Sequence, residues 1–139
     1  NNTLDILESM RLMAMVQKHE SGNPRKLAVA EALSIATRES ARVFGLPADL
    51  GLLAPGYLAD LVLVDLSAPH NQPLHDPAAN LVYSTRASDV QSVICDGRVI
   101  MRDRELLTLD KNEIVERVGE SMERLSRRVP ESRIQLYTG

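Results

Sequence analysis

The 139-residue sequence has no Trp, one Phe and three Tyr, so Leu, Val, Ile, Ala and Met must fill any core. At 44% hydrophobic residues there are enough of them for a real one. Cys95 is the only cysteine, which excludes an internal disulfide. It lies in an apolar strand pattern and reads as a buried, inert thiol. No apolar run approaches about 18 residues and no stretch reads as a signal peptide, so a reducing, cytoplasmic location is expected. Neither sign of charge dominates. The net charge is −3 with both signs interspersed, which leaves no electrostatic case for nucleic acid or an anionic membrane as partner. The three histidines, His19, His70 and His75, form no His-x-His pair.

What the sequence does have is centred on residues 51–66. Pro55-Gly56 suits a tight turn, since Pro presets φ at the second turn position and Gly accepts positive φ at the third. Residues 58–64 are apolar except for Asp60, short and rich in Val and Leu. That pattern predicts a strand buried on both faces.

Before this stretch the sequence predicts helices. Asn2 can cap a first helix over residues 4–18, with Asp5 three positions later as its capping-box partner. Residues 12–16 are apolar throughout and should be surrounded by protein. The Met10, Met13 and Met15 stripe reads as core. Residues 19–24 break the helix, with His19 at its C-terminal end. A second helix covers residues 29–36, with Ala28 where a capping Ser or Thr would help and Glu31 three residues on. Thr37 then caps a short helix over residues 38–44 that Gly45 closes.

After the strand, residues 67–77 hold three prolines and read as a surface loop. His70 and His75 are five residues apart across Pro73, which is not the spacing of a metal pair. Asp76-Pro77 caps a short helix running to residue 83. Residues 90–95 and 98–101, joined by Asp96-Gly97, read as a β-hairpin, and residues 104–107 add a little more strand. Asp110 and Glu113 open a last helix whose stripe is Ile114, Val118, Met122, Leu125 and Val129, ended by Pro130.

Gly51, Pro55, Gly56, Ala59, Asp60 and the Leu-Val-Leu-Val-Asp65 run resemble the C-terminal signature of the metal-dependent amidohydrolases, as does the later Asp96-Gly97 segment. Residues 1–5, 8–12 and 17–18 are similar to the segment after the last metal ligand in the deaminase and chlorohydrolase branch. That branch includes the methylthioadenosine/S-adenosylhomocysteine deaminases and triazine hydrolases. The resemblance implies a parent (β/α)8 barrel with one or two divalent metal ions, Zn or Fe, that activate water. None of the ligands it implies is present here. Asn1 and Asn2 are the only positions it places near the parent active site, and both also suit helix capping.

The expected fold is α+β: C-terminal helices of an incomplete barrel plus part of the small β domain. Residues 1–46 would be the last barrel helices, residues 47–109 the β portion with its hairpin over 90–101, and residues 110–139 the C-terminal helix and tail. The function implied is that of a C-terminal fragment of a hydrolase acting on C–N or C–Cl bonds of a purine-like or triazine-like ring. The fragment itself is expected to be inactive, with no catalytic or metal residue of its own. Its partners would be a small-molecule substrate in the parent and, through residues 4–18 and open sheet edges, a second copy or the missing N-terminal part. Two other readings stand beside this one. One is a non-catalytic assembly module with the same fold. The other is a dihydroorotase- or imidazolonepropionase-like branch, against which residues 1–18 argue.

Overall fold

The computed structural model describes residues 4–128. The chain divides into two compact units, Asn1–Glu105 and Leu106–Gly139.

In the first unit, α1 (Ile6–Ser21) starts at Asp5, whose Oδ1 accepts the amides of Leu7 at 2.9 Å and Glu8 at 3.1 Å. Asp5 is therefore the cap itself, not the third-position partner of Asn2, which lies outside the described residues. Its short carboxylate sits where it can take the orphan amides of the first turn. Gly22, left-handed at φ 60°, ends the helix, and its amide donates to the His19 carbonyl.

The second helical stretch corrects the expected break at Thr37. The chain runs from α2 (Val29–Ser34) through a π-helical turn (Ile35–Glu39) into α3 (Ser40–Val43). The Thr37 hydroxyl donates back to the Leu33 carbonyl at 2.8 Å, and Ser40 to Ile35 at 2.7 Å. Both hydroxyls thus bond within the helix and cap nothing. Ala28 does occupy the cap position without a side-chain acceptor, but Glu31 Oε2 still accepts the Ala28 amide at 2.8 Å. Gly45, at φ 76°, closes the helix as expected, with the Leu46 amide on the Ala41 carbonyl.

The core lies among helices. Met10 and Ala14 of α1, Ala32 of α2 and Val82 of α4 (Pro77–Tyr83) are buried together, and the two alanines let the helices approach closely. The methionine stripe is split: Met10 is in this cluster, Met13 packs at its margin and Met15 is exposed. Residues 12–16 are likewise not enclosed. Leu12, Met15 and Val16 are each more than half exposed, because only the Met10–Ala14 side of α1 faces the other helices.

The sheet has the order β1-β2-β3-β4, with β1 (Leu61–Val64), β2 (Val90–Cys95), β3 (Arg98–Arg102) and β4 (Glu105–Leu106). β1 and β2 are antiparallel, with Val62 opposite Val93, and β2 and β3 are antiparallel across Asp96-Gly97. Those two residues have φ of 48° and 72°, the double positive φ of a type I′ turn, so the expected hairpin forms. The expectation that β1 is buried on both faces fails. It is an edge strand, and Val62 and Leu63, on opposite faces, are 59% and 47% exposed. Cys95 is exposed too, not buried: it is the last residue of β2, beside the turn.

In the second unit, Asp110 Oδ1 accepts the amides of Asn112 and Glu113 and opens α5 (Lys111–Arg128). Val129 and Pro130 lie outside the described residues. No helix among the described residues is long and apolar enough to cross a membrane.

Candidate functional site

The residues of the 51–66 signature hold local structure in place. At Ala54-Pro55-Gly56-Tyr57 the Tyr57 amide donates to the Ala54 carbonyl and Gly56 has φ 94°, as a type II turn requires. Gly51, at φ 90°, lies against the π-helical turn. A Cβ there would come 2.8 Å from the Arg38 Cα and 2.9 Å from the Thr37 carbonyl oxygen. Asp60, the one charge in the apolar run, accepts the Asp96 amide at 2.6 Å on Oδ1, while the Ala59 carbonyl accepts the Gly97 amide at 3.1 Å. The start of β1 is thereby tied to the hairpin turn 36 residues away. Asp65 accepts the Ser67 amide at 2.8 Å, and the Ser67 backbone and hydroxyl hold its carboxyl below the ordinary range.

A second polar assembly went unread in the sequence. Asp89 Oδ2 accepts from His70 Nε2 at 2.7 Å, the Arg86 amide at 2.9 Å and Asn71 Nδ2 at 3.3 Å. Asn71 is fully buried: its Oδ1 accepts from the Thr85 hydroxyl and its carbonyl from Asn80 Nδ2 at 2.7 Å. Arg11 of α1 donates to the Thr85 carbonyl. The network therefore joins α1, the 3-10 turn Pro69–Asn71, α4 and the 3-10 turn Ala87–Asp89. The expected surface loop is anchored from below by Asn71. Burial pushes the Asp89 carboxyl up, but the His70, Arg86 and Asn71 hydrogen bonds outweigh it, and the net shift is downward.

A His–Asp contact at 2.7 Å can in principle orient an imidazole as a general base. Here the carboxylate is shared among three donors and the nearby Thr85 hydroxyl already donates to Asn71 and Asn80, so no nucleophile is poised. The arrangement is that of a lock between elements. Among the described residues no group of three His, Cys, Asp or Glu could hold a metal ion, and these residues do not fit one.

Between the helices and the sheet lies an apolar cleft of about 390 Å³. Met10, Leu33, Val62, Val64, Leu81 and Val93 line it, with Thr37 its only polar wall residue. Asn1 and Asn2 lie outside the described residues.

The model of the amidohydrolase family matches residues 1–100, and the chain belongs to that family. It is similar to a 5-methylthioadenosine/S-adenosylhomocysteine deaminase of Pelotomaculum thermopropionicum, 46% identical over 83% of this chain and 26% of that protein. A 5'-deoxyadenosine deaminase of Methanothermobacter thermautotrophicus is 40% identical over 84% of this chain and 27% of its own length. Among solved structures, an adenosine deaminase from Xanthomonas campestris with bound zinc matches at a TM-score of 0.89 and 32% identity, over 91% of this chain and 29% of that one. An atrazine chlorohydrolase from Arthrobacter aurescens in complex with zinc gives 0.73 and 30%, over 82% and 25%. The chain thus spans between a quarter and a third of the length of these relatives.

Proposed function

We propose that the chain is the C-terminal part of a metal-dependent deaminase that acts on an adenosine-type nucleoside. In it, residues 1–46 are the last barrel helices, residues 47–109 a portion of the small β domain, and residues 110–139 the C-terminal helix and tail. The observation that carries this reading is the 46% identity to a methylthioadenosine/S-adenosylhomocysteine deaminase over 83% of this chain. The described residues support a framework role, because Asp5, Asp60 and Asp65 are committed to caps and turns and His70 to the Asp89 lock. Metal ligands and substrate contacts then belong to the parts of the relatives that the chain does not span. Alone, the chain is inactive. Its open β1 edge and the exposed Leu12, Met15 and Val16 favour pairing with that remainder in a cytoplasmic enzyme.

The test is a chimera in which this chain replaces its matched region in the Pelotomaculum protein. The expected result is deamination of 5'-methylthioadenosine, followed by the ultraviolet change from an adenine to a hypoxanthine ring. A chimera that folds and holds metal but turns over atrazine, and no nucleoside, would move the reading to the chlorohydrolases. One that turns over neither would overturn it.

A further inference from the structure

Asp96 is the only Asp or Asn in the sequence that is followed by Gly. The two residues form the β2–β3 turn, and both are exposed. Gly97 has no side chain to screen its amide nitrogen, and a Cβ built there meets nothing within 4 Å. A backbone nitrogen so exposed can attack the side-chain carboxyl carbon of the aspartate before it. The turn holds this reaction in check. Closing the five-membered ring brings the nitrogen into line with Cβ and Cγ, which the type I′ conformation does not allow, so the Asp96 Cα–C bond must rotate first. The amides on either side of that bond are both held by residues at the start of β1. Asp60 Oδ1 accepts the Asp96 amide at 2.6 Å, and the Ala59 carbonyl accepts the Gly97 amide at 3.1 Å. The second of these bonds also occupies the nucleophile itself.

We propose that Asp96-Gly97 is a site of spontaneous isoaspartate formation, kept closed by Asp60 and the Ala59 carbonyl while the start of β1 stays seated on the turn. In the step, the Gly97 nitrogen bonds to Asp96 Cγ and gives up its proton, and one carboxyl oxygen leaves as water. Water then adds to the succinimide. Addition at the Asp96 backbone carbonyl carbon breaks that carbon's bond to the Gly97 nitrogen, frees an α-carboxylate and leaves the chain running through Cγ. Addition at Cγ restores aspartate. One water is lost and one regained, no electrons change hands and no other reactant is needed. The isoaspartyl product has one extra atom in its main chain. The two-residue turn that sets Cys95 opposite Arg98 then no longer closes, and the two amides leave their places opposite Asp60 and Ala59. The modification therefore stops the start of β1 from reseating. Because β1 is an edge strand, its opening requires no other strand to move.

The experiment incubates the full chain at mildly acidic pH, in buffer and in guanidinium chloride. Isoaspartate is counted by enzymatic methylation of its free α-carboxylate and located by fragmentation mass spectrometry, with Asp96→Ser as the blank. The denatured chain should accumulate it at residue 96, and the folded chain at least about tenfold more slowly, since the rate scales with the open fraction of the turn. Asp60→Ala removes a charge-assisted hydrogen bond and should speed the reaction in the folded chain about tenfold. Asp60→Asn keeps an oxygen acceptor, and its rate should lie closer to that of the parent chain. The comparison between buffer and denaturant needs no variant, so it decides even where Asp60→Ala does not fold. The proposal is overturned if the parent chain forms isoaspartate equally fast in both media, or if residue 96 stays unmodified in denaturant. It is overturned as well if Asp60→Ala, with its circular dichroism unchanged, reacts no faster than the parent, or if Asp60→Asn reacts as fast as Asp60→Ala.

Discussion

Gly51 and Gly56 have almost the same backbone conformation, φ 90° and 94°, but different surroundings. Gly56 has open space where a Cβ would project. At Gly51 the same atom would meet the Arg38 Cα at 2.8 Å, the Thr37 carbonyl oxygen at 2.9 Å and the Ala41 Cβ at 3.1 Å. Two of these are backbone atoms of the π-helical turn and cannot rotate away. Gly56→Ala should therefore cost only the strain of positive φ, about 1–2 kcal/mol. Gly51→Ala adds overpacking against a helix, about 1–3 kcal/mol more. The pair is compared by urea unfolding monitored by far-ultraviolet circular dichroism, with the midpoint shift read at constant slope. If the two variants lose the same stability, the close approach of residue 51 to the helix is not what requires glycine there.

Three further outcomes are expected. Met10→Ala, in the helical core, should destabilise by about 2–5 kcal/mol, whereas exposed Met15→Ala should change stability by less than about 0.5 kcal/mol in the same unfolding assay. Asp89 has its carboxyl pKa lowered in the fold, so its contribution is complete above the unfolded carboxylate value and fades as pH falls through the folded value. Asp89→Asn should accordingly flatten the acid limb of the stability–pH curve below about pH 4, and an unchanged limb would remove Asp89 from the lock. Asp60→Ala should release the Asp96 amide, seen as faster hydrogen exchange there with little change at Ala14 in the helical core.

The local punctuation of the fold was legible in the sequence. Asp76-Pro77, Asp96-Gly97, Pro55-Gly56, Gly45 and Asp110 each act through a side chain or a φ preference that needs only near neighbours. Burial was harder to read. An apolar run states what a segment could bury, not whether a neighbour covers it, so β1 and residues 12–16 were expected to be enclosed and are not. The turn at Asp103-Arg104 also escaped notice. It takes φ of 49° and 68° without glycine, and the Arg104 guanidinium holds it by donating to the Val90 carbonyl at 3.0 Å. The Asp89 lock was invisible for a similar reason, since its partners are 18 and 19 residues away and its α1 link spans 74. Family resemblance was readable from the 51–66 phrase because glycine, proline and one aspartate there serve fixed backbone geometry. The same phrase says nothing of substrate.

The central claim is that this chain supplies framework and no catalytic ligand. Its most direct test is to titrate zinc into the isolated chain by calorimetry and to assay 5'-methylthioadenosine deamination in the same samples. The account predicts no stoichiometric zinc binding and no turnover from the chain alone, with both restored in the chimera. Stoichiometric zinc binding with turnover by the isolated chain would contradict it.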